Sequence, residues 1–426
     1  MKDSGIEWIG EIPEGWSIAR GKHILTLLQR AVFPTDGVIT CFRDGEVTLR
    51  SNRREDGFTV SLKEIGYQGI EPGDLVVHGM DGFAGSIGIS DSRGKSSPVL
   101  VVLDSSQDKK YLMYYLRSMA YNNVFLALST GIRVRSCDLK WNKLADLLYL
   151  VPPIVEQHKL VSFLDEKCSE IDAMLSKTRA SIEEYKKLKQ AIITQAVTKG
   201  VRGEREMKDS GVEWIGEIPK YWNIGKLKYY WISVESGVSV NAADRPIDNP
   251  AQYGVLKTSS VSKFIFNPHE HKQVNNDEYS RVTCPVTADC IIVSRMNTPD
   301  LVGACGYVEK TYPNLFLPDR LWQISFKNDV SAKFIWYYLN NKMVRSYISS
   351  LSTGTSSTMQ NISQGQFGNI SVCLPDSNEQ KEIADYLDAK CAEIDGLITR
   401  KEQLVKELES YKKSLIYEVV TGKREV

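Results

Sequence analysis

Residues 1–13 read MKDSGIEWIGEIP and residues 207–219 read MKDSGVEWIGEIP, so one opening motif occurs twice at a shift of 206 (207 minus 1). Further along, LSTG at residues 128–131 returns at residues 351–354, a shift of 223 (351 minus 128). The second copy therefore carries 17 extra residues (223 minus 206) between these two motifs. Since a repeat of this length governs the architecture, we predict two tandem copies of one unit.

Each copy ends in a long polar segment with a helical period. From about residue 155 to 199, and again near the end of the chain, apolar residues recur at alternating steps of four and three, the pattern of a coiled-coil seam. After Tyr185 we expect this seam to continue through Leu188, and we place Tyr411 on the seam of the second copy. The other predicted seam residues are Leu164, Cys168, Ile171, Leu175, Ile182, Leu387, Cys391, Ile394, Ile398, Val405 and Leu408.

A helix of this length cannot bury its seam alone. About 45 residues would rise about 65–70 Å, so each long helix needs the other. Because helices and globular regions alternate along the chain, antiparallel pairing would place one globular region near each end with pseudo-two-fold symmetry. The predicted fold class is α+β, with two mixed α/β domains separated by a long antiparallel two-helix coiled coil.

The predicted domain boundaries follow from these elements. The globular domains take residues 1–153 and 207–376, and the helical segments take residues 154–206 and 377–426. Within the second globular domain, residues 332–343 are predicted to form one helix.

The overall composition is neutral. Lys plus Arg and Asp plus Glu both number 53 in the 426 residues, so any nucleic-acid surface must come from local segregation of charge. No apolar run approaches the roughly 18 residues that span a bilayer, and the first residues lack the pattern of a signal peptide, so a cytoplasmic location is expected. The eight cysteines lack a Cys-x-x-Cys pair, which favours buried reduced thiols over disulfides or a zinc cluster.

This organisation resembles the specificity subunit of type I restriction-modification enzymes over nearly the whole chain. The resemblance depends on the two opening motifs, the two LSTG loops and GDLVV at residues 73–77. It depends also on the proline-rich entries into Glu-Gln at 156–157 and 379–380, and on the helix ends AVTKG at 196–200 and VVTGK at 419–423. Each motif is weak alone, but their order, duplicated in one chain, is specific.

The resemblance implies a function that composition does not. In the family, each target recognition domain reads one half of a bipartite DNA sequence, and the helices set the spacer between the halves. It implies a non-catalytic chain that binds double-stranded DNA, two adenine methyltransferase subunits and, in the restricting complex, two motor-nuclease subunits. S-adenosylmethionine, ATP and Mg²⁺ are then expected in those partners, with no cofactor or metal in this chain.

Two sets of residues are the candidate DNA contacts of the first domain. One set, in a polar stretch, is Arg43, Arg50, Arg53 and Arg54. The other set, in the first LSTG loop and just beyond it, is Ser129, Thr130, Arg133 and Arg135. Alternate arginines of an extended segment lie on one side, where they suit guanine edges or phosphates. Solvated surface arginine is the alternative interpretation for each.

The matching loop of the second domain is neutral and rich in hydroxyl groups. Its candidate contacts are Ser352, Thr353, Thr355, Ser356, Ser357 and Gln360. Hydroxyl side chains can bind phosphates or bases, and glutamine pairs with adenine, so we expect the two domains to read different half-sites. In a matched place after a strand end, residues 78–81 correspond to residues 294–297, where Arg295 and Asn297 are candidate readers. An ordinary polar turn is the alternative there.

Several other features have plainer explanations. Trp16 and Trp222, like Trp8 and Trp214, belong to the repeated frame, which favours core packing over base stacking. The His-Glu-His run at 269–271 lacks further ligands at metal spacing and is read as a surface loop.

Two alternative functions are kept beside the specificity subunit. One is a self-contained DNA methyltransferase or nuclease, although NPAQY at residues 249–253 departs from the Asn-Pro-Pro-Tyr of adenine methyltransferases and no glycine-rich cofactor loop accompanies it. The other is a structural coiled-coil protein that binds DNA without sequence preference.

Overall fold

The computed structural model describes residues 1–54, 64–127, 139–356 and 359–426, with the backbone alone at 355 and 356. The chain divides into two compact units. The first unit consists of Met1–Ala180 and Glu402–Val426, and the second consists of Ser181–Lys401. Each unit therefore holds one globular region together with a part of each long helix.

The first unit contains short strands and a few short helices. Its strands are β1 (Lys2–Asp3), β2 (Glu11–Ile12), β3 (Ser17–Arg20), β4 (Leu25–Leu27), β5 (Ile39–Cys41), β6 (Val47–Leu49), β7 (Gln68–Ile70), β8 (Leu75–His78), β9 (Ile87–Ile89), β10 (Gly94–Ser96), β11 (Leu100–Ser105) and β12 (Leu148–Val151). Its helices are α1 (Gly21–Ile24), α2 (Lys109–Tyr121), α3 (Val124–Ala127) and α4 (Trp141–Asp146). The long helix α5 (Ile154–Lys199) begins in this unit and ends in the second.

A four-stranded antiparallel sheet of order β4-β11-β8-β9 forms the centre of the first unit. Successive residues of a strand point to opposite faces. Leu75 and Val77 of β8 join the main core with α2, whereas Val76 joins a smaller core with Ile39 and Val47. Both faces are covered, which explains the unbroken apolar run that the sequence shows here.

The second unit repeats this plan with more strands. Its strands are β13 (Met207–Asp209), β14 (Glu217–Pro219), β15 (Asn223–Lys226), β16 (Trp231–Ser236), β17 (Ala242–Ala243), β18 (Gly254–Leu256), β19 (His271–Val274), β20 (Pro285–Val286), β21 (Cys290–Ser294), β22 (Met296–Asn297), β23 (Cys305–Val308), β24 (Tyr312–Phe316), β25 (Leu321–Phe326), β26 (Thr353–Ser356), β27 (Met359–Asn361) and β28 (Ser371–Leu374). Its helices are α6 (Ala332–Leu339), α7 (Lys342–Leu351) and α8 (Gln364–Gly368), and α9 (Ser377–Val420) begins here and ends in the first unit.

The sheet β16-β25-β21-β23 has the same antiparallel strand order as the central sheet of the first unit. Ile291 and Val293 of β21 face the main core with α6, whereas Cys290 and Ile292 face a second core. That second core contains residues of the five-stranded sheet β17-β19-β18-β24-β20, which lies in the interval that carries the extra residues. The repeat is thus one frame with an enlarged second layer in the second copy.

The predicted single helix at residues 332–343 is wrong, because α6 ends at Leu339 and α7 begins at Lys342. The side chain of Asn341 accepts the backbone N–H of Met343 at 2.8 Å and so caps a new helix. The side-chain amide of Asn340 donates to the carbonyl oxygens of Phe264 (3.2 Å) and Cys305 (3.1 Å). The helix is therefore interrupted at these two consecutive asparagines, because each side chain forms hydrogen bonds with backbone groups.

The long helices pack antiparallel in the first unit. The ammonium group of Lys412 binds the carboxylate of Asp172 at 2.6 Å. Further along, Arg179 binds Glu409 at 2.5 Å. From the first pair to the second, residue numbers increase on α5 and decrease on α9, so the two helices are antiparallel. Exposed ion pairs contribute little stability, so the buried seam holds the helices together.

The same direction is found within the second unit. Lys189 binds Asp395 at 2.7 Å, and the ammonium group of Lys401 lies 5.6 Å from the ring centroid of Tyr185. The pair Lys189–Asp395 repeats the pair Lys412–Asp172 of the first unit at the 223-residue shift (412 minus 189). The duplication therefore extends to individual contacts between the helices.

Most of the predicted seam residues are buried. Those buried are Leu164, Cys168, Ile171, Leu175, Ile182, Leu387, Cys391 and Ile394, and those half-buried are Tyr185, Ile398, Val405 and Leu408. The placement of Leu188 and Tyr411 on the seam is wrong, because they are 47% and 50% exposed. Their neighbours Lys189 and Lys412 turn inward instead, since each forms an ion pair with the opposite helix.

Local signals define the ends of the long helices. A carboxylate oxygen of Asp376 accepts the N–H of Asn378 (3.0 Å) and of Glu379 (2.9 Å) at the start of α9. Gly200 and Gly422 follow the two helices with φ of +78° and +69°, which favours glycine. In the described part of the chain, every helix is too short or too polar to span a membrane.

Candidate nucleic-acid interface

The four arginines of the first predicted set meet at one cavity of the first unit. The cavity, of about 550 Å³, lies beside the ends of β5 and β8 and the turn after β6. Its polar lining consists of Thr40, Arg43, Asp44, Arg50, Arg53, Arg54, His78, Asp81 and Ser97. Strand ends that are distant in sequence thus bring acidic and basic side chains together.

Arg53 is held on several sides. Its guanidinium donates to Asp44 at 2.7 Å and to Glu46 at 2.8 Å, and it lies 4.2 Å from the ring centroid of Phe42. Burial would raise the pKa of Asp44, but hydrogen bonds from Arg53 and from the backbone lower it below its usual value. Arg53 therefore ties this segment together, and its position is fixed by acidic neighbours that the sequence pattern did not single out.

Arg43 and Asp81 form a more exposed pair. One terminal nitrogen of Arg43 lies 3.0 Å from a carboxylate oxygen of Asp81, and the side chains are 71% and 33% exposed. Nearby, the Nε–H of Arg50 donates to the hydroxyl of Thr40 at 2.9 Å. The backbone N–H of Arg54 donates to the carbonyl of Arg50 at 2.8 Å and closes the turn.

His78 fixes the turn that carries Asp81. Its Nδ1 accepts the backbone N–H of Asp81 at 3.0 Å and of Met80 at 3.3 Å. A ring nitrogen that accepts carries no hydrogen, so the proton of the neutral ring lies on Nε2. Burial lowers the pKa of His78; Asp81 opposes this shift and Arg43 adds to it. The neutral ring is thus the form that the fold favours.

We expect the first unit to lose stability in mild acid because of His78. Since the folded pKa lies below the ordinary value of about 6.5, the contribution of the neutral ring is complete above that value and is lost as the pH falls through the folded pKa. A protonated ring would lose both bonds to the turn at Met80 and Asp81. Thermal unfolding midpoints should be compared between wild type and His78→Gln from about pH 7.5 to about pH 5.

The glutamine variant can accept an N–H but does not titrate in this range, so it removes the pH-dependent part alone. Wild type should therefore lose more stability across this range than the variant. Equal losses in the two proteins would contradict the assignment.

In the second unit, the predicted residues Arg295 and Asn297 lie beside the hydroxyl-rich loop. A three-stranded sheet of order β22-β27-β26 pairs Asn297 with Gln360 and Thr353 with Asn361. The Nε–H of Arg295 donates to the carbonyl of Asp319 at 2.9 Å, which orients the guanidinium. Among the described residues, this small sheet brings the amides of Asn297 and Gln360 and the hydroxyl of Thr353 onto neighbouring strands.

Of the remaining predicted contacts, three lie among the described residues and five lie outside them. Ser352 is half-buried, and its hydroxyl donates to the carbonyl of Ser349 at 2.7 Å, so it closes the end of α7. Thr355 and Ser356 lie on β26 by their backbone. Those outside the described residues are Ser129, Thr130, Arg133, Arg135 and Ser357.

Other reactive groups in the described residues have structural roles. No cluster of histidine, cysteine and carboxylate side chains there could hold a metal ion. The interpretation of residues 269–271 as a surface loop is wrong for His271, which is buried at the start of β19. Its Nδ1 lies 2.7 Å from the carbonyl of Pro268, while Nε2 accepts the N–H of Ile247 at 3.0 Å, so both ring nitrogens are occupied. The described cysteines are free and buried. Burial raises the pKa of Cys290 and Cys305 to about 12, as expected of inert thiols.

The chain thus has a duplicated α+β frame in which each copy carries a long helix and a different polar surface. Residues 252–407 match the family model of the type I restriction modification DNA specificity domain. Along nearly its whole length, the chain is similar to specificity subunits of type I restriction-modification enzymes.

Individual relatives show the extent of this similarity. The chain is 21% identical to the EcoKI specificity subunit of Escherichia coli K12 across 97% of its own length and 90% of that protein. It is 26% identical to the Escherichia coli EcoEI specificity subunit, over 40% of this chain and 29% of that protein. A solved chain described in work on complex assembly and conformational transition of the type I R-M system superposes with a TM-score of 0.73, covering 97% of this chain and 100% of that one. At 13% identity, that likeness supports the fold.

Proposed function

We propose that this chain is a non-catalytic subunit that recognises a bipartite, asymmetric DNA site, with one half read by each globular domain. The supporting observation is that the frame repeats while the candidate interfaces differ. The hydroxyl of Tyr114 donates to Asp165 at 2.8 Å, and Tyr337 donates to Asp388 at 2.8 Å, again at a shift of 223 (337 minus 114). Identical frame contacts beside unlike polar surfaces are expected if each copy reads its own sequence.

The proposed arrangement is pseudo-two-fold, with the two domains at opposite ends of the antiparallel helices. The antiparallel direction within each unit and the repeated ion pairs support it. Two readers on a stiff pair of helices must meet one face of B-DNA about 34 Å apart, or a multiple of this. The length of the helices would then set the spacer between the half-sites.

The proposed partners follow from the family. Two methyltransferase subunits and, for cleavage, two restriction subunits would bind this chain and act on DNA in the cytoplasm. S-adenosylmethionine, ATP and Mg²⁺ would belong to those subunits, because this chain contributes recognition and not chemistry.

A selection from random-sequence duplexes tests the proposal. The full-length chain, purified and then assembled with its methyltransferase subunit, is expected to enrich two short sequences separated by a constant spacer. Enrichment without any shared sequence would favour a structural DNA-binding protein. Binding of S-adenosylmethionine by the chain alone would favour a self-contained methyltransferase, and either result overturns the proposal.

The same selection should show whether the length of the helices sets the length of the DNA spacer. Removing four residues from 176–191 and the matched four from 399–414 takes about 6 Å from each helix and nearly preserves the faces of the seam. The spacer is expected to shorten by about two base pairs, with both half-sequences unchanged. A control carries alanine at four exposed positions of the same segments. A changed half-sequence, or an unchanged spacer, would contradict the arrangement.

A further inference from the structure

The lining of the cavity of the first unit holds four guanidinium groups and two carboxylates, and Glu46 adds a third carboxylate beside Arg53. Arg43 pairs with Asp81, and Arg53 pairs with Asp44 and Glu46. A phosphate group entering this cavity would meet carboxylates as well as guanidinium groups, and like charges at close range repel. Beside the pair of Arg43 and Asp81, the cavity therefore suits a neutral polar group better than a phosphate. A base edge carries no net charge and presents hydrogen-bond donors and acceptors, which such a lining matches.

We propose, building on the proposed function, that this cavity reads a guanine in the half-site of the first domain, with Arg43 as the reading residue and Asp81 as its positioning residue. Guanine presents two acceptors, N7 and O6, in the major groove, and a guanidinium binds both at once. Adenine, cytosine and thymine do not present two such acceptors. The ligand is thus the major-groove edge of one base.

The surroundings of Arg43 suit a side chain that contacts a base. Among the described residues, its guanidinium makes one hydrogen bond, to Asp81, and its side chain is 71% exposed. A guanidinium has five N–H donors, so an edge of the group stays available. Arg53 has both terminal nitrogens engaged by Asp44 and Glu46, and it therefore holds the segment in place.

The turn that carries Asp81, the partner of Arg43, is held by hydrogen bonds on both sides of this residue. The backbone N–H of Asp81 donates to His78, and the carbonyl of Asp81 accepts the N–H of Ala84 at 2.9 Å. The backbone from which the carboxylate of Asp81 extends is therefore held in place. Base discrimination requires such preorganisation, since a loose guanidinium would also reach other acceptors.

The test is the random-duplex selection, run on the full-length chain as wild type, Arg43→Ala and Arg43→Lys. Wild type should return a consensus with an invariant guanine in one half-site. Both variants should lose the preference for guanine at that single position by about tenfold to a hundredfold, with the other half-site unchanged. Lysine keeps the charge but loses the planar fork, so it should not rescue. Arg20→Ala removes another exposed arginine of this unit and should leave the consensus intact.

The dependence of DNA affinity on salt concentration distinguishes a base contact from a phosphate contact. Removal of a base contact should leave the slope of log affinity against log salt unchanged, whereas removal of a phosphate contact lowers it by about one. Asp81→Asn should weaken the same guanine preference without a change elsewhere in the consensus. A uniform loss over all sequences with a lower salt slope, rescued by Arg43→Lys, would make Arg43 a phosphate contact and overturn the inference.

Two further outcomes are distinguishable. An Arg43→Ala consensus identical to that of wild type would also overturn the inference, while the bipartite consensus itself would leave the proposed function standing. Failure of the proposed function is seen in wild type alone, as the absence of a bipartite consensus. Circular dichroism of each variant shows that the domain is folded.

Discussion

Replacing Trp222 by alanine is expected to lower the free energy of unfolding of the second unit by about 3–5 kcal/mol. Trp222 is 1% exposed and packs edge to face against Phe334, with ring centroids 6.4 Å apart. Its indole N–H donates to Glu379 at 3.2 Å, and Glu379 also binds Arg205 at 2.7 Å. The variant would leave a large cavity and remove a hydrogen bond from a buried carboxylate.

Chemical denaturation followed by far-ultraviolet circular dichroism measures this effect without relying on tryptophan fluorescence. The matched control is Tyr221→Ala, since Tyr221 is the neighbouring residue and is 85% exposed. Its effect should stay within about 0.5 kcal/mol. A loss below about 1 kcal/mol in Trp222→Ala would contradict the packing described for this unit.

The second large effect is expected from Gln380→Leu, at about 2–4 kcal/mol. Gln380 is 1% exposed and makes three hydrogen bonds. It accepts the N–H of Ser331 at 2.7 Å and donates to the carbonyl oxygens of Asp329 (3.1 Å) and Pro375 (2.9 Å). Leucine has a similar size but would leave these backbone groups buried without partners, and each such group costs about 1–3 kcal/mol.

Two comparisons sharpen this experiment. Gln403→Leu changes an exposed glutamine of the same helix and should be nearly neutral. Gln157→Leu should reproduce the loss in the first unit, because Gln157 accepts the N–H of Asp108 at 3.0 Å and donates to the carbonyl of Pro152 at 2.8 Å. A Gln380→Leu protein as stable as wild type would show that these bonds are not required.

The effects at Trp222 and Gln380 concern the join between each globular region and its long helix. Trp16 donates to Glu156 at 2.9 Å in the first unit, as Trp222 donates to Glu379 in the second. Trp16 and Trp222 are therefore core residues, as the sequence repeat predicted, and the glutamates of the two Glu-Gln pairs are their partners. Repetition alone pointed to these residues, whereas their bonds became visible only in three dimensions.

Prediction succeeded where a pattern is local or can be compared with its own copy. Helices α5 and α9 follow the seam period and the proline and glycine signals, and most of the predicted seam is buried. The predictions for Leu188 and Tyr411 failed because apolar periodicity takes no account of ion pairs between the helices. Lys189 and Lys412 face the opposite helix instead, where they bind Asp395 and Asp172.

The candidate interface was predicted only in part. Arg43 and its neighbours were chosen because arginines cluster in the sequence, and the fold does bring them to one cavity. The partner of Arg43 is Asp81, which is 38 residues away on a different strand end, and no spacing rule connects the two. Likewise Asn297 pairs with Gln360 across 63 residues (360 minus 297) through strand pairing.

The sequence by itself determined that this protein has two copies of one frame, each followed by a long helix that requires a partner, because apolar periodicity and duplication are properties of the chain alone. Tertiary structure decided which charges meet, which glutamines are buried and which arginine keeps an exposed edge. The physical reason is that a hydrogen bond depends on distances of a few tenths of an ångström. Such distances are set only when segments far apart in the chain pack against one another.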